Sequence, residues 1–194
     1  PDDEILTGDE GRLYERFSME LEFAGAVKVA LGKDGLSDDM LPRFRAAGRA
    51  AARANVPVVM HTEFGIGAVN AVDLLEKLGL SPGKVFVCHV DRQADDYRPH
   101  EEIARTGALL EYDTIARHKY HDDESESTLI RHMLSRGYKL ALSLDTTSLR
   151  MKSYSGNIGL RYIIETFIPH LRKSGVSQVE IDAMTRINPA SAFI

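Results

Sequence analysis

A chain of 194 residues, 43% of them hydrophobic, suffices for one core of ordinary size. Its net charge of −5 and pI near 5.8, with 24 Lys and Arg interspersed among 29 acidic residues, argue against a nucleic-acid or membrane-surface protein. No apolar run approaches the roughly 20 residues of a membrane span, PDDEILTGDEG lacks signal-peptide features, and Cys88 alone allows no internal disulfide, so a cytoplasmic protein is expected.

The chain opens with a predicted helix at about 9–23. The first apolar run, AGAVKVAL, gives a strand at 25–31 that contains Lys28. A helix at about 38–54 leads to a strand at 57–61, where VPVVMHTE carries His61. A helix at 68–79 follows, then a strand at 84–89, where KVFVCHVDR carries His89. The remaining pattern is helix 98–106, strand 108–113, helix 124–137, strand 139–145 ending at Asp145, and helix 157–174. The helical stretches repeat apolar residues at helical spacing, as in Leu129, Ile130, Met133 and Leu134. Gly79, Gly107, Gly137 and Gly175 follow helix ends, where a left-handed cap favours glycine. The strands read as near-continuous apolar runs, which fits parallel strands buried on both faces. Such alternation predicts βαβ units with right-handed crossovers. No internal repeat interrupts it, and residues 1–194 are expected to form a single catalytic domain.

Lys28, His61, His89 and Asp145 each lie on or at the end of a strand. They are 33, 28 and 56 residues apart, about one, one and two βα units. Alternation alone is also satisfied by an open doubly wound sheet of five strands. Ligand-type residues at the C-terminal ends of successive parallel strands point instead to an α/β fold of the (β/α)8 TIM-barrel type, with only about the C-terminal five βα units present. Histidine nitrogens and a carboxylate are ordinary metal donors. A lysine within an apolar run must reach solvent or be chemically changed, because a buried ammonium is costly. Its neutral amine can take up CO2 to give a carbamate that bridges two metals. Taken singly, a strand-end His is commonly a satisfied structural residue, a Lys commonly snorkels, and an Asp commonly caps a helix. The four together, in order, are harder to dismiss.

At these residues the chain resembles the phosphotriesterase-like branch of the amidohydrolase superfamily. The motifs that carry the resemblance are AGAVKVA, VMHTE, CHVDRQADDY, LEYDTIARHKYHDD, LSLDTT and INPASAF, in that order over about residues 24–194. The resemblance implies a binuclear metal-dependent hydrolase. Lys28 would be the carbamylated bridging ligand, with His61 and His89 on one metal. Asp145 would bind the other and act as the base. Two divalent ions are implied, zinc first, with Mn, Co or Fe as alternatives. The family places an HxH pair on its first strand. Here the seven histidines are 61, 89, 100, 118, 121, 132 and 170, and none are two apart. The chain is therefore expected to lack the first strands of a longer barrel and to carry about half of a binuclear site.

The loops after residues 113 and 145 are rich in cations and hydroxyls, which points to an anionic small-molecule substrate. DTIARHKYHDD and LDTTSLRMKSY resemble family members that hydrolyse lactones of phosphorylated sugars by attack of a metal-bridging hydroxide. By position, Lys119, Arg150 and Tyr154 would hold the phosphate, with Lys152 a weaker candidate. The alternatives are a phosphotriesterase, an acyl-homoserine lactonase, or an inactive truncated barrel that only binds ligand. Asp91, after His89, is expected either to orient a metal-bound histidine or to pair with a neighbouring Arg. Asp122-Asp123-Glu124 is expected to open the next helix. Asp113 is followed by Thr114, so the histidine proton relay of some family members is not carried over. Open sheet edges make a homo-oligomer plausible.

Overall fold

Five short strands, all parallel, form one sheet: β1 (Val27–Ala30), β2 (Val58–His61), β3 (Val85–Cys88), β4 (Leu109–Tyr112) and β5 (Leu140–Leu142). The computed structural model describes residues 8–20, 25–153, 155 and 158–194. Helices α1 (Gly8–Glu20) and α2 (Leu41–Ala54) flank β1. Helices α3 (Ala68–Lys77), α4 (Arg98–Arg105) and α5 (Asp123–Ser135) alternate with the later strands. Every expected strand and every expected helix up to residue 137 is found within a few residues of its predicted bounds. None of the described helices is long and apolar enough to cross a membrane.

The strand order is β1-β2-β3-β4-β5, the order of the chain. A doubly wound sheet needs a reversal of strand order at its centre, and none occurs. With right-handed crossovers, an unreversed order puts every connecting helix on one face. This is the winding of a barrel, and the fold is a partial (β/α) barrel. Register assigns the two faces. Val29, Met60, Val87, Leu110 and Leu140 pair in one row and sit in the core shared with the helices. The rows on either side, Lys28-Val59-Phe86-Leu109 and Ala30-His61-Cys88-Glu111-Ala141, face inward. Phe86, Leu109, Ala141 and Ala192 form a small second core at the base of this inner face.

Burial on both faces is found for β3 and β5 only. In β1 it alternates, with Val27 and Val29 buried and Lys28 and Ala30 exposed. Lys28 is exposed because the inner face beside β1 is open among the described residues.

Gly79, Gly107, Gly137 and Gly175 all have positive φ after helices, as expected. Asp122 caps α5, its carboxylate accepting from the Ser125 N–H at 2.8 Å. The loops after β1 and β2 touch at Gly35 and Gly67. A methyl group on Gly67 would lie 2.7 Å from the Gly35 Cα, and Gly67 has φ +76. Gly67→Ala should therefore destabilise the fold by about 1–3 kcal/mol, read as a lowered urea midpoint with an unchanged slope.

His100 on α4 is a satisfied core histidine. Its Nε2–H donates to the Gln93 carbonyl at 2.8 Å, and its Nδ1 accepts from the Tyr112 hydroxyl at 2.7 Å. Burial lowers its pKa to about 4. The unfolded chain therefore takes up a proton that the folded chain resists, and stability falls as pH drops from about 6.5 towards about 4. Compared with His100→Gln, the parent should lose about 2–3 kcal/mol more between pH 7 and about pH 4, measured by urea unfolding at both values.

The C-terminal region departs most from expectation. The helix expected at 157–174 is found over residues 161–173, with π-type turns over Ile163–Phe167 leading into α7 (Ile168–Lys173), and a short unanticipated helix α6 (Ser148–Ser153) precedes it in the chain. Then come α8 (Gln178–Asp182), a second π-type stretch over Ala183–Ile187, and α9 (Asn188–Ser191), none of them anticipated. Each π-type stretch ends two residues before a proline, Pro169 or Pro189. Proline lacks an N–H and clashes with the carbonyl four residues back, and a wider turn relieves both problems. The signal for α8 was present as Ser177 and Glu180, which form a reciprocal capping box. Asn188 ties this tail to the sheet through a 2.8 Å bond to the Leu140 carbonyl.

Candidate active site

The loops that leave the C-terminal strand ends surround a cavity of about 530 Å³. Lys28, His61, His89 and Asp145 all line it, together with Cys88, Arg92, Glu111, Asp113 and Ser143. The four donors expected from sequence are thus brought to one place. β5 is shorter than predicted, but its ladder continues: Ser143 N–H donates to the Tyr112 carbonyl at 3.0 Å, and Asp145 N–H to the Asp113 carbonyl at 2.8 Å. That extension ties Asp145 to the backbone of Asp113.

The residues Phe64, His89 and Ala116, in the loops after β2, β3 and β4, adopt positive φ. Non-glycine residues rarely do so, and such strain tends to collect at functional sites. His89 has φ +67. Its Nδ1 lies 2.7 Å from Asp113 Oδ1 in a buried contact. Burial, then Arg92, pushes the His89 pKa down. Burial, then Glu111 and Asp145, pushes Asp113 up to about 8. The contact with Asp113 engages Nδ1 and leaves Nε2 as the ring nitrogen that a ligand can reach. The His61 ring lies 4.6 Å from the His89 ring, edge to face. Burial, then His89, lowers the His61 pKa. Both imidazoles are therefore neutral and able to coordinate.

Glu63 lies 3.1 Å from His61 Nε2 and is held by Arg92. The Arg92 hydrogen bond is the main reason the Glu63 pKa is lowered. Glu111 accepts from Cys88 at 3.0 Å and from Ser143 at 2.7 Å. Burial, then Glu111, pushes the Cys88 thiol up, so it is not a thiolate near neutral pH. Arg117 donates to Asp145 Oδ2 at 2.7 Å.

The sequence reading missed Asp113, Arg117, Glu63 and Glu111. Asp113 closes its strand just as Asp145 does, which was a usable signal. The expectation for Asp91 is corrected: it neither orients a metal-site histidine nor pairs with an Arg, but accepts from the Thr114 N–H at 2.6 Å. The carboxylate that orients His89 comes from the neighbouring strand. Of the expected phosphate ligands, Arg150 in α6 lies 3.5 Å from the Asp145 carboxylate and also donates to its backbone carbonyl. Lys119 is exposed and lies over the Tyr120 ring, 4.4 Å from its centroid, outside the cavity lining. The Tyr120 ring also takes Arg92 and Arg117 at 5.5 and 5.0 Å. Tyr154 lies outside the described residues.

The donor set fits a metal centre. Cys88, Glu111 and Asp113 place donor atoms within 4.8 Å of one another, beside two neutral imidazoles. Burial, then the carboxylates of Glu111 and Asp145, raises the Asp113 pKa, so the cavity favours added positive charge.

The model of the phosphotriesterase family matches residues 20–193. The chain belongs to the phosphotriesterase family. Its relatives include the phosphotriesterase homology protein of Escherichia coli (strain K12), 32% identical over 152 residues, covering 77% of this chain and 52% of that protein. The phospho-furanose lactonase of Mycoplasmopsis synoviae (strain 53) is 27% identical over 174 residues, covering 86% and 49%. A crystal structure of the E. coli homology protein, complexed with phosphate in its active site, superposes with a TM-score of 0.89 at 27% identity, over 96% of this chain and 68% of that one. This phosphotriesterase-family chain spans about half the length of the curated relatives it matches.

Proposed function

We propose that this protein is a binuclear metal-dependent hydrolase that opens the lactone ring of a phosphorylated sugar lactone. The observation that carries the reading is the convergence of Lys28, His61, His89 and Asp145, from β1 and from the ends of β2, β3 and β5, on one cavity. A relative named as a phospho-furanose lactonase, and another with phosphate in its active site, support the substrate class.

In this reading His61 and His89 would hold one ion, zinc or another first-row divalent metal. Lys28, as its carbamate, and Asp145 would supply the remaining anionic oxygens for a second ion. When bound, such ions supply Lewis acidity and make water acidic enough to ionise near pH 7. Asp145 accepts the proton that the attacking water gives up. Arg117, at 2.7 Å, fixes the orientation of that carboxylate. Asp113 holds the His89 ring through Nδ1. Arg150, Lys119 and Tyr154 would bind the remote phosphate, and its binding energy would place the carbonyl for attack.

The test is a substrate panel assayed with zinc or manganese present: phosphorylated sugar lactones, the same lactones without phosphate, acyl-homoserine lactones and paraoxon-type triesters. The proposal expects turnover of the phosphorylated lactones, and a far larger loss with Arg150→Met on these than on neutral ones. Turnover confined to neutral lactones or triesters, or equal losses on both classes, overturns it.

A further inference from the structure

A second cluster of donor atoms lies outside the cavity lining, where the turn after β3, the loop after β4 and the first turn of α5 meet. It consists of Asp91, His121 and Glu126, whose donor atoms all lie within 4.8 Å of one another. Asp91 and Glu126 are fully buried, and the His121 side chain is 5% exposed. Thr114 N–H satisfies Asp91 Oδ2, but Asp91 Oδ1 has no hydrogen-bond partner. Neither Glu126 oxygen has one.

The tautomer of His121 sharpens the problem. Its Nδ1 lies 3.2 Å from the Asp122 carbonyl oxygen, which can only accept, so Nδ1 carries the proton. Nε2 lies 3.1 Å from the Thr114 hydroxyl. The same Nε2 sits 3.1 Å from Glu126 Oε2, off the line of a hydrogen bond. Nε2 and Glu126 Oε2 thus stand 3.1 Å apart without a hydrogen bond, with the unpartnered Asp91 oxygen beside them. Buried carboxylates left in this state are costly unless something positive joins them. Two carboxylates neutralise a divalent ion, and one nitrogen with two oxygens is a donor set that suits zinc or manganese.

We propose that Asp91, His121 and Glu126 bind one structural divalent metal ion, separate from the cavity, that pins α5 to the loops after β3 and β4. Asp91 follows His89 by two residues and also holds the Thr114 N–H next to Asp113. An ion there would fix the backbone on both sides of the His89–Asp113 pair without touching substrate.

The experiment is zinc content per chain after equilibrium dialysis of the purified protein. It compares the parent with E126Q, and H61N, which removes a cavity donor, with the H61N/E126Q double variant. In both backgrounds E126Q should lower the zinc content by about one equivalent. Equal zinc content with and without E126Q overturns the proposal and leaves the cluster as carboxylates sharing a proton. Anomalous diffraction at the zinc edge on the parent protein asks the same question without a variant. A peak among Asp91, His121 and Glu126 supports the site, and peaks confined to the cavity overturn it. Because neither measurement uses turnover, a wrong substrate assignment would leave both results intact.

Discussion

Asp145→Asn should lower turnover of a phosphorylated sugar lactone by about 10²–10⁴-fold, the range over which a positioned general base contributes. Asparagine keeps the shape of the side chain and can still accept from Arg117, so the fold and the loop after β5 should survive. What is lost is the negative charge and the ability to take a proton. Asp145 is 30% exposed, lines the cavity, and receives Arg117 at 2.7 Å. The informative comparison is kcat against metal content in the same preparation. A fall in kcat with metal retained assigns Asp145 to proton transfer. A parallel loss of metal assigns it chiefly to coordination. Unchanged turnover would remove it from the reaction.

Asp113→Ala should weaken zinc binding in the cavity by about 10–100-fold, as is usual when the partner of a coordinating histidine is removed. The contact at stake is the 2.7 Å pair between Asp113 Oδ1 and His89 Nδ1. Without it the ring loses its fixed tautomer, and its Nδ1 is left buried with no partner. Competition with a chelator of known affinity measures the effect. Unchanged affinity would show that the backbone at His89, with its positive φ, holds the ring by itself.

The parts of the molecule legible in the sequence were those fixed by local pattern. Runs such as KVFVC and KLALSL could only be strands, and a donor directly after each run had to emerge at the same end of the sheet. The choice between a barrel and a doubly wound sheet rested on those donors, and strand order then decided it. Contacts made between neighbouring strands were not legible. Nothing in CHVDR says that the partner of His89 is Asp113 and not Asp91, because both carboxylates stand near a strand end and only register separates them. Arg117 was visible as one cation in a basic loop, but its bond to Asp145 depends on the left-handed turn at Ala116. The tail after residue 175 was missed for a different reason. Its helical stretch over residues 178–191 contains a π-type segment before Pro189 and buries few residues, so it leaves little apolar periodicity to read.

Because spatial order equals chain order, each strand pairs only with the units just before and after it in the chain. No pairing has to wait for a distant segment, and the sheet can zip up from one end as the polypeptide is made. Low sequence separation between partners favours rapid folding. It also sets a schedule for the cavity: Lys28 arrives first, the histidines follow, and Asp145 arrives last. Such a winding can be lengthened at either edge by one more strand-helix unit without rewiring those already in place, which is how a wall of this kind can grow by duplication.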